Sequence, residues 1–375
     1  MTQDLSPDEV RVSLRAFFAD RPGVAEARRI RDAAEDDALT RDGFDRDRWA
    51  RAAEQLGLAA MGVPEHWGGL GLDVAHLVAA VEECGTSLYP GPARAALLAG
   101  WSLAGVPAGA PVPEEVTRAV DGLLAGDVVP GWSTAADPER APRLVDGRLT
   151  GTAVRVTHGH AAGLVLCLAR TDQGPVVALA AVSRDAARIG VDTIDLTTPR
   201  ADVVLRGAPA VAVTAPHEDD VERHLTVARL LLAAEQVGGA EGCLAAMVSY
   251  AAVREQFGTL IGTYQAIQHR CSDIVIHTSA ARGLVTAGAA AVDGGEDAAA
   301  LRLGLLARAE AGDCFLAASS GLIQVSGGLG FTWEHDAHLF FRRARATASV
   351  GGTPEHHRHR AVEAGCLDLL GTPTS

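Results

Sequence analysis

Arg148-Leu-Thr-Gly-Thr-Ala-Val-Arg-Val-Thr157 alternates apolar and polar residues and is rich in β-branched side chains. A period of two belongs to a strand with one face buried. Apolar runs of strand length follow at Leu164-Val-Leu-Cys-Leu168, Val176-Val-Ala-Leu-Ala180 and Val203-Val-Leu205, separated by Gly, Asp and Pro. Residues 126–218 therefore read as a small, mostly antiparallel β domain. Outward from it the period becomes helical on both sides. Upstream, Ser6-Pro7-Asp8-Glu9 is a helix start, and Val10, Leu14, Phe17 and Phe18 continue it as a stripe. Further helices are expected near 46–56, 73–84 and 92–103, with Gly68, Gly69 and Gly71 as breakers. Downstream, residues 219–257 predict one helix of about 58 Å at 1.5 Å per residue. More helices are expected at 264–292, 296–323 and 335–347. The order is helices, strands, helices, over 1–125, 126–218 and 219–375. It has no βαβ alternation, which excludes a Rossmann sheet.

Composition narrows the function. All 33 basic residues are Arg; the chain has no Lys and no Asn. Schiff-base chemistry and a Walker A loop both need a lysine amine, so both are excluded. N-glycosylation is excluded with Asn. A net charge of −14 argues against a duplex nucleic-acid binder. Six scattered Cys form no CxxC pair, so neither a zinc ribbon nor a thioredoxin motif is present. No signal h-region and no uncharged apolar run of membrane length is seen, which points to the cytoplasm.

Two local motifs carry less than they promise. Gly327-Gly328-Leu329-Gly330 follows a helix rather than a strand, so it reads as a helix-ending turn. Glu355-His356-His357-Arg358-His359-Arg360 lacks the i, i+4 His pair of a helical metal site, and a solvated segment is expected. His335 and His338 are expected on one helix face, too few for a metal. No metal site is assigned.

Longer strings are more specific. Arg254-Glu-Gln-Phe-Gly-Thr-Leu-Ile-Gly-Thr-Tyr-Gln-Ala-Ile-Gln-His269 and Gln324-Val-Ser-Gly-Gly-Leu-Gly-Phe-Thr-Trp-Glu-His-Asp336 stand in the last third. Leu56-Gly-Leu-Ala-Ala-Met-Gly-Val-Pro-Glu-His-Trp-Gly-Gly-Leu-Gly-Leu72 stands in the first. With the 149–157 strand, these four segments resemble the acyl-CoA dehydrogenase family, in the family's order and over nearly the whole chain. The resemblance implies an α+β multidomain fold: an N-terminal helical domain, a middle β-barrel-like domain and a C-terminal four-helix bundle that mediates assembly. It implies FAD as cofactor. Arg254 would pair with the pyrophosphate across a subunit interface, where a guanidinium fork suits phosphate oxygens. Phe257 would pack on the cofactor, and Gln265 and Gln324 would offer amide hydrogen bonds. Gly327 and Gly328 would let backbone approach closely. Thr353 and Glu355 match cofactor contacts in the loop after the last matched helix. Arg229 matches a position near the acyl-CoA site.

The departures are as informative. The family removes an α-proton with a Glu and sends the β-hydride to the flavin, so a carboxylate must reach the α-carbon. The two positions that host this base match Ala228 and Gly351, and neither accepts a proton. Glu235 shares a helix face with Ala228 but lies about 10.5 Å further along, and is a weak replacement. The flavin-facing stretch of the middle domain, Pro130-Gly-Trp-Ser-Thr-Ala-Ala-Asp137, is also poorly matched. The reading that fits is the base-lacking partner in a heterotetrameric acyl-CoA dehydrogenase, such as those acting on steroid side-chain CoA thioesters. Its partners would be a second family subunit, an acyl-CoA or acyl-carrier-protein thioester, and an electron-transfer flavoprotein. The alternatives are a stand-alone flavoenzyme with altered chemistry and a non-catalytic scaffold. Leu230, Leu231 and Leu232 are expected to pack against other protomers.

Overall fold

A computed structural model describes residues 5–34, 37–133 and 138–367. The N-terminal region is helical: α1 (Pro7–Asp20), α2 (Gly23–Asp32), α3 (Ala38–Asp42), α4 (Arg46–Leu56), α5 (Val74–Thr86), α6 (Ala93–Ser102) and α7 (Glu114–Leu124). The start of α1 is a full capping box: Ser6 Oγ accepts from the Glu9 amide, and Glu9 accepts from the Ser6 amide. Below it, the buried guanidinium of Arg48 pairs with Glu26 at 2.8 Å and lies over the rings of Phe17, Phe18 and Tyr89.

The middle region holds β1 (Val129–Trp132), β2 (Arg143–Val145), β3 (Arg148–Thr157), β4 (Ala162–Thr171), β5 (Gly174–Ala181), β6 (Arg188–Val191) and β7 (Arg200–Ala212). The strands run in the order β1-β4-β2-β3-β7-β5, and β5 pairs back onto β4. That return closes a five-strand ring, so the sheet is barrel-like. Most ladders are antiparallel, but β1 runs parallel to β4. Inside lie Leu149, Val165, Cys167, Val176 and Val203.

The C-terminal region begins with α8 (Glu218–Ala251), then a hairpin of β8 (Glu255–Gln256) and β9 (Thr259–Leu260). It continues with α9 (Gln265–Asp293), α10 (Asp297–Ser326), α11 (Ala337–Ala348) and α12 (Pro354–Glu363). Helices α8 to α11 form the bundle. The segment Asp297–Phe331 is apolar and long enough to cross a membrane, but half of its most apolar window is buried in the protein.

Four expectations need correction. Helix α8 stops at Ala251 rather than 257, because residues 255–260 form the β8–β9 hairpin instead, with left-handed Phe257 (φ 55°) and Gly258 (φ 78°) as its two-residue tip. Leu230, Leu231 and Leu232 are buried inside the chain and present no face to a partner. The His cluster is helical: His357 is buried in α12, while His356 and His359 are exposed. His335 precedes α11 and accepts from the Ala337 amide at 3.1 Å, so it shares no helix face with His338.

Glycines set the closest helix approach. A Cβ on Gly238 of α8 would lie 1.9 Å from the Glu82 carbonyl oxygen of α5, and one on Gly85 would lie 2.2 Å from the Glu235 carbonyl oxygen. Gly238→Ala would gain about 1 kcal/mol of helix propensity. The backbone clash outweighs it, since no flexible side chain can yield. We expect a net loss of about 2 kcal/mol, read as a lower denaturant midpoint. An unchanged or raised midpoint would contradict this packing.

Candidate functional site

The end of α8, the β8–β9 hairpin, the start of α9 and the end of α10 enclose an open groove of about 810 Å³. Arg254, Phe257, Gln324, Gly327 and Gly328 all line it. Gln265 opens α9 at its rim, between lining residues Tyr264 and Ala266. Local structure explains the arrangement. Tyr264 donates its hydroxyl to the Gln256 carbonyl at 3.0 Å and pins the hairpin to α9. Gly327, at φ 62°, ends α10 and turns the chain along the groove wall. Nothing lies within 4 Å of a Cβ built on Gly327 or Gly328, so their backbone faces open space.

The groove is chemically unsatisfied. The exposed Arg254 guanidinium has no hydrogen-bond or ion-pair partner among the described residues. Phe257 is 96% exposed. A free fork, a bare ring, a side-chain amide and accessible glycine backbone suit a phosphate-bearing ligand with a flat heterocycle. The phosphate half of a flavin dinucleotide fits these groups.

Thr353 and Glu355 lie elsewhere. Thr353 caps α12, accepting from the His356 amide at 3.2 Å, and Glu355 is exposed beside it. Pro354 packs over Gly312 of α10, about 18 Å of helix from Gln324. One chain thus presents the expected cofactor residues on two separate surfaces.

Neither base position is replaced by a neighbour. Ala228 is half-buried against the core. Gly351 is exposed, at φ 72°, with nothing within 4 Å of a built Cβ. Arg229 is held by Glu222 at 2.7 Å, and Arg360 of α12 approaches the same carboxylate at 3.4 Å. Glu235 is no free base. Its two oxygens accept from Arg94 and Arg343, each at 2.7 Å. Arg343 also donates to Asp195 and Thr197 of the β6–β7 loop. Burial alone would raise the Glu235 and Asp195 carboxyls; the guanidiniums outweigh it and hold both below the ordinary range.

This chain of charges closes the seam between α6, α8, α11 and the middle domain. The void left there is about 30 Å³, lined by Tyr89, Arg94, Thr157, His158, Glu235 and Arg343. That is room for about one water molecule. One turn before Ala228, His224 is buried between Trp101 and Trp132, and burial pushes its pKa down to about 3. The middle-domain stretch from Pro130 is described to Ser133; Thr134, Ala135, Ala136 and Asp137 lie outside the described residues. Arg94, Asp195 and Arg343 escape sequence reading, because no spacing links them.

Comparison with known proteins places the chain. The acyl-CoA dehydrogenase N-terminal domain matches residues 8–106, and the acyl-CoA dehydrogenase C-terminal domain matches residues 219–365. This chain belongs to the acyl-CoA dehydrogenase family. Within it, the chain is 32% identical to acyl-CoA dehydrogenase IpdE2 of Mycobacterium tuberculosis over 351 residues, spanning 93% of this chain and 95% of that one. Two solved structures share the fold at 24% identity. A variant of the Tcur3481-Tcur3483 steroid acyl-CoA dehydrogenase superposes with a TM-score of 0.82, over 97% of this chain and 99% of that one. The ChsE4-ChsE5 complex from Mycobacterium tuberculosis gives 0.80, over 100% of both. The helical, barrel-like and bundle regions are therefore the acyl-CoA dehydrogenase architecture.

Proposed function

We propose that this chain is the base-lacking subunit of a cytoplasmic, heteromeric acyl-CoA dehydrogenase. The loss of a carboxylate at both 228 and 351 carries the reading. Glu235 cannot compensate, since two guanidiniums occupy its oxygens. The partner subunit supplies the Glu that takes the α-proton, and FAD, when bound, accepts the β-hydride. This chain's part is to hold the cofactor. Arg254 meets the pyrophosphate, Phe257 covers a flat ring, and Gln265, Gln324 and the Gly327–Gly328 backbone complete the grip. Thr353 and Glu355 serve a second contact surface. Two similar structures carry two-chain names, and one is named a steroid enzyme. The substrate proposed is accordingly an acyl-CoA thioester with a bulky, steroid-like acyl group. An electron-transfer flavoprotein is the proposed oxidant of the reduced cofactor.

The closed seam supports the same division of labour. An acyl chain running from Ala228 toward Glu235 would meet the Arg94–Glu235–Arg343 contacts and the small void described above. The test is flavin absorbance per protomer, with mass by light scattering, on this chain alone and co-purified with a family member bearing Glu at a base position. The expected result is flavin at half the chain count, in the mixed complex only. A homo-oligomer with one flavin on every chain and dehydrogenase activity would overturn the proposal.

A further inference from the structure

Arg308 interrupts the apolar stripe Leu305-Leu-Ala-Arg-Ala309 of α10 and is fully buried. A buried cation ordinarily needs a carboxylate. Arg308 has none among the described residues: every partner is a neutral oxygen. Its guanidinium donates to Gln236 Oε1 at 2.9 Å and to the carbonyls of Thr347, Ala348 and Val350 at 2.5, 3.2 and 3.3 Å. Gln236 in turn donates to Thr347 Oγ1 at 3.1 Å. The three carbonyls belong to the end of α11 and the turn that leaves it. Helix C-terminal carbonyls lack partners and carry partial negative charge. The end of α11 therefore takes the place of the missing acid.

Beyond these contacts the chain bends through Gly351 (φ 72°) and Gly352 (φ 130°), both in the left-handed region. Val350 and Gly352 donate back to the Thr347 and Ser349 carbonyls at 3.3 and 3.2 Å. Thr353 then caps α12. We infer that Arg308 is the positioning residue of the 349–353 turn. It sets where Thr353 and Glu355 stand, and it holds position 351 in a backbone form that disfavours any residue with a side chain. The missing base is thus built into the backbone as well as the side chain.

The test is hydrogen exchange by mass spectrometry on the full chain, comparing wild type, R308M and R308K. In R308M the amides of Val350, Gly352, His356 and His357 should exchange about tenfold faster or more, while peptides from the middle of α9 keep their protection. R308K keeps a cation with fewer directed donors and should fall between. A buried lysine without an acid loses its proton readily, so turn protection in R308K should decline as pH rises, relative to wild type. If R308M does not fold, that R308K profile carries the test. Wild-type protection of the turn in R308M, or in R308K across pH where R308M is unfolded, would overturn the inference. The link to the cofactor rests on the proposed function and is read separately, as flavin content of the co-purified complex. A loosened turn with unchanged flavin keeps Arg308 in its positioning role and removes Thr353 and Glu355 from the cofactor site.

Discussion

Arg343→Met is expected to cost about 3–5 kcal/mol of folding stability at neutral pH. The side chain is buried and serves two carboxylates at once, Glu235 of α8 and Asp195 of the β6–β7 loop. Methionine fills similar volume, so the loss is electrostatic rather than a cavity. Glu235 keeps Arg94 at 2.7 Å. Asp195 keeps neutral donors, the Thr197 amide and hydroxyl at 2.9 and 2.7 Å and the Thr198 side chain, but no paired cation among the described residues. A control on the surface, Arg118→Ala, breaks an exposed pair with Glu114 and should change stability by less than about 0.5 kcal/mol. Urea unfolding of both variants gives the comparison.

The same variant has a pH signature. In the wild type both carboxyls are held below their ordinary values of 4.5 and 3.8. Groups depressed in this way add stability above the unfolded pKa and lose it as pH falls through the folded pKa. Removing Arg343 takes away the main cation that lowered Asp195, and burial then drives that carboxyl up; Glu235, which keeps Arg94, loses only part of its stabilisation. Protonation relieves the variant as pH falls, while it weakens the wild type. The stability gap should therefore be wider near pH 7.5 than near pH 5, measured by urea midpoints at both. A gap that is constant, or that grows toward acid, would rule out these contacts as its source.

This seam leaves no trace in the sequence. Arg94, Asp195, Glu235 and Arg343 are far apart in the chain and sit in no periodic pattern. Local rules read well where the information is local. The helix start at Ser6–Glu9, the strand at 148–157 and the helix-ending Gly327 each depend on a few adjacent residues, and each forms, although a bulge between Ala153 and Val156 breaks the strand's alternation. The end of α8 differs from its expected place because residues 255–260 pair as a hairpin around a left-handed Phe257–Gly258 tip, which the Phe side chain does not announce. Leu230–Leu232 face inward rather than toward a partner, and an apolar run does not say which neighbour covers it. Arg308 does leave a sign: a lone charge inside an apolar stripe on a helix must find neutral oxygens or an acid. The cofactor residues are legible through resemblance, while their division between two surfaces requires the fold.

Arg254→Ala is expected to strip flavin from the mixed complex, lowering affinity by about ten- to a hundredfold. The magnitude follows from charge-assisted hydrogen bonds to phosphate, each worth about 1.5–3 kcal/mol. Because Arg254 is exposed and has no protein partner among the described residues, the substitution should leave the chain's own stability within about 0.5 kcal/mol. That separates it from Arg343, whose loss acts first on stability. Arg254→Lys keeps the charge but not the planar fork, so it should retain flavin poorly and more weakly at high salt. The readout is flavin per chain after gel filtration, followed by dehydrogenase activity with and without added FAD. Activity regained by excess FAD would mean that Arg254 binds the cofactor and does nothing in the chemistry, as a cofactor-holding subunit requires. Flavin content and activity untouched by Arg254→Ala would leave the groove without a cofactor and reduce this chain to a scaffold for its partner.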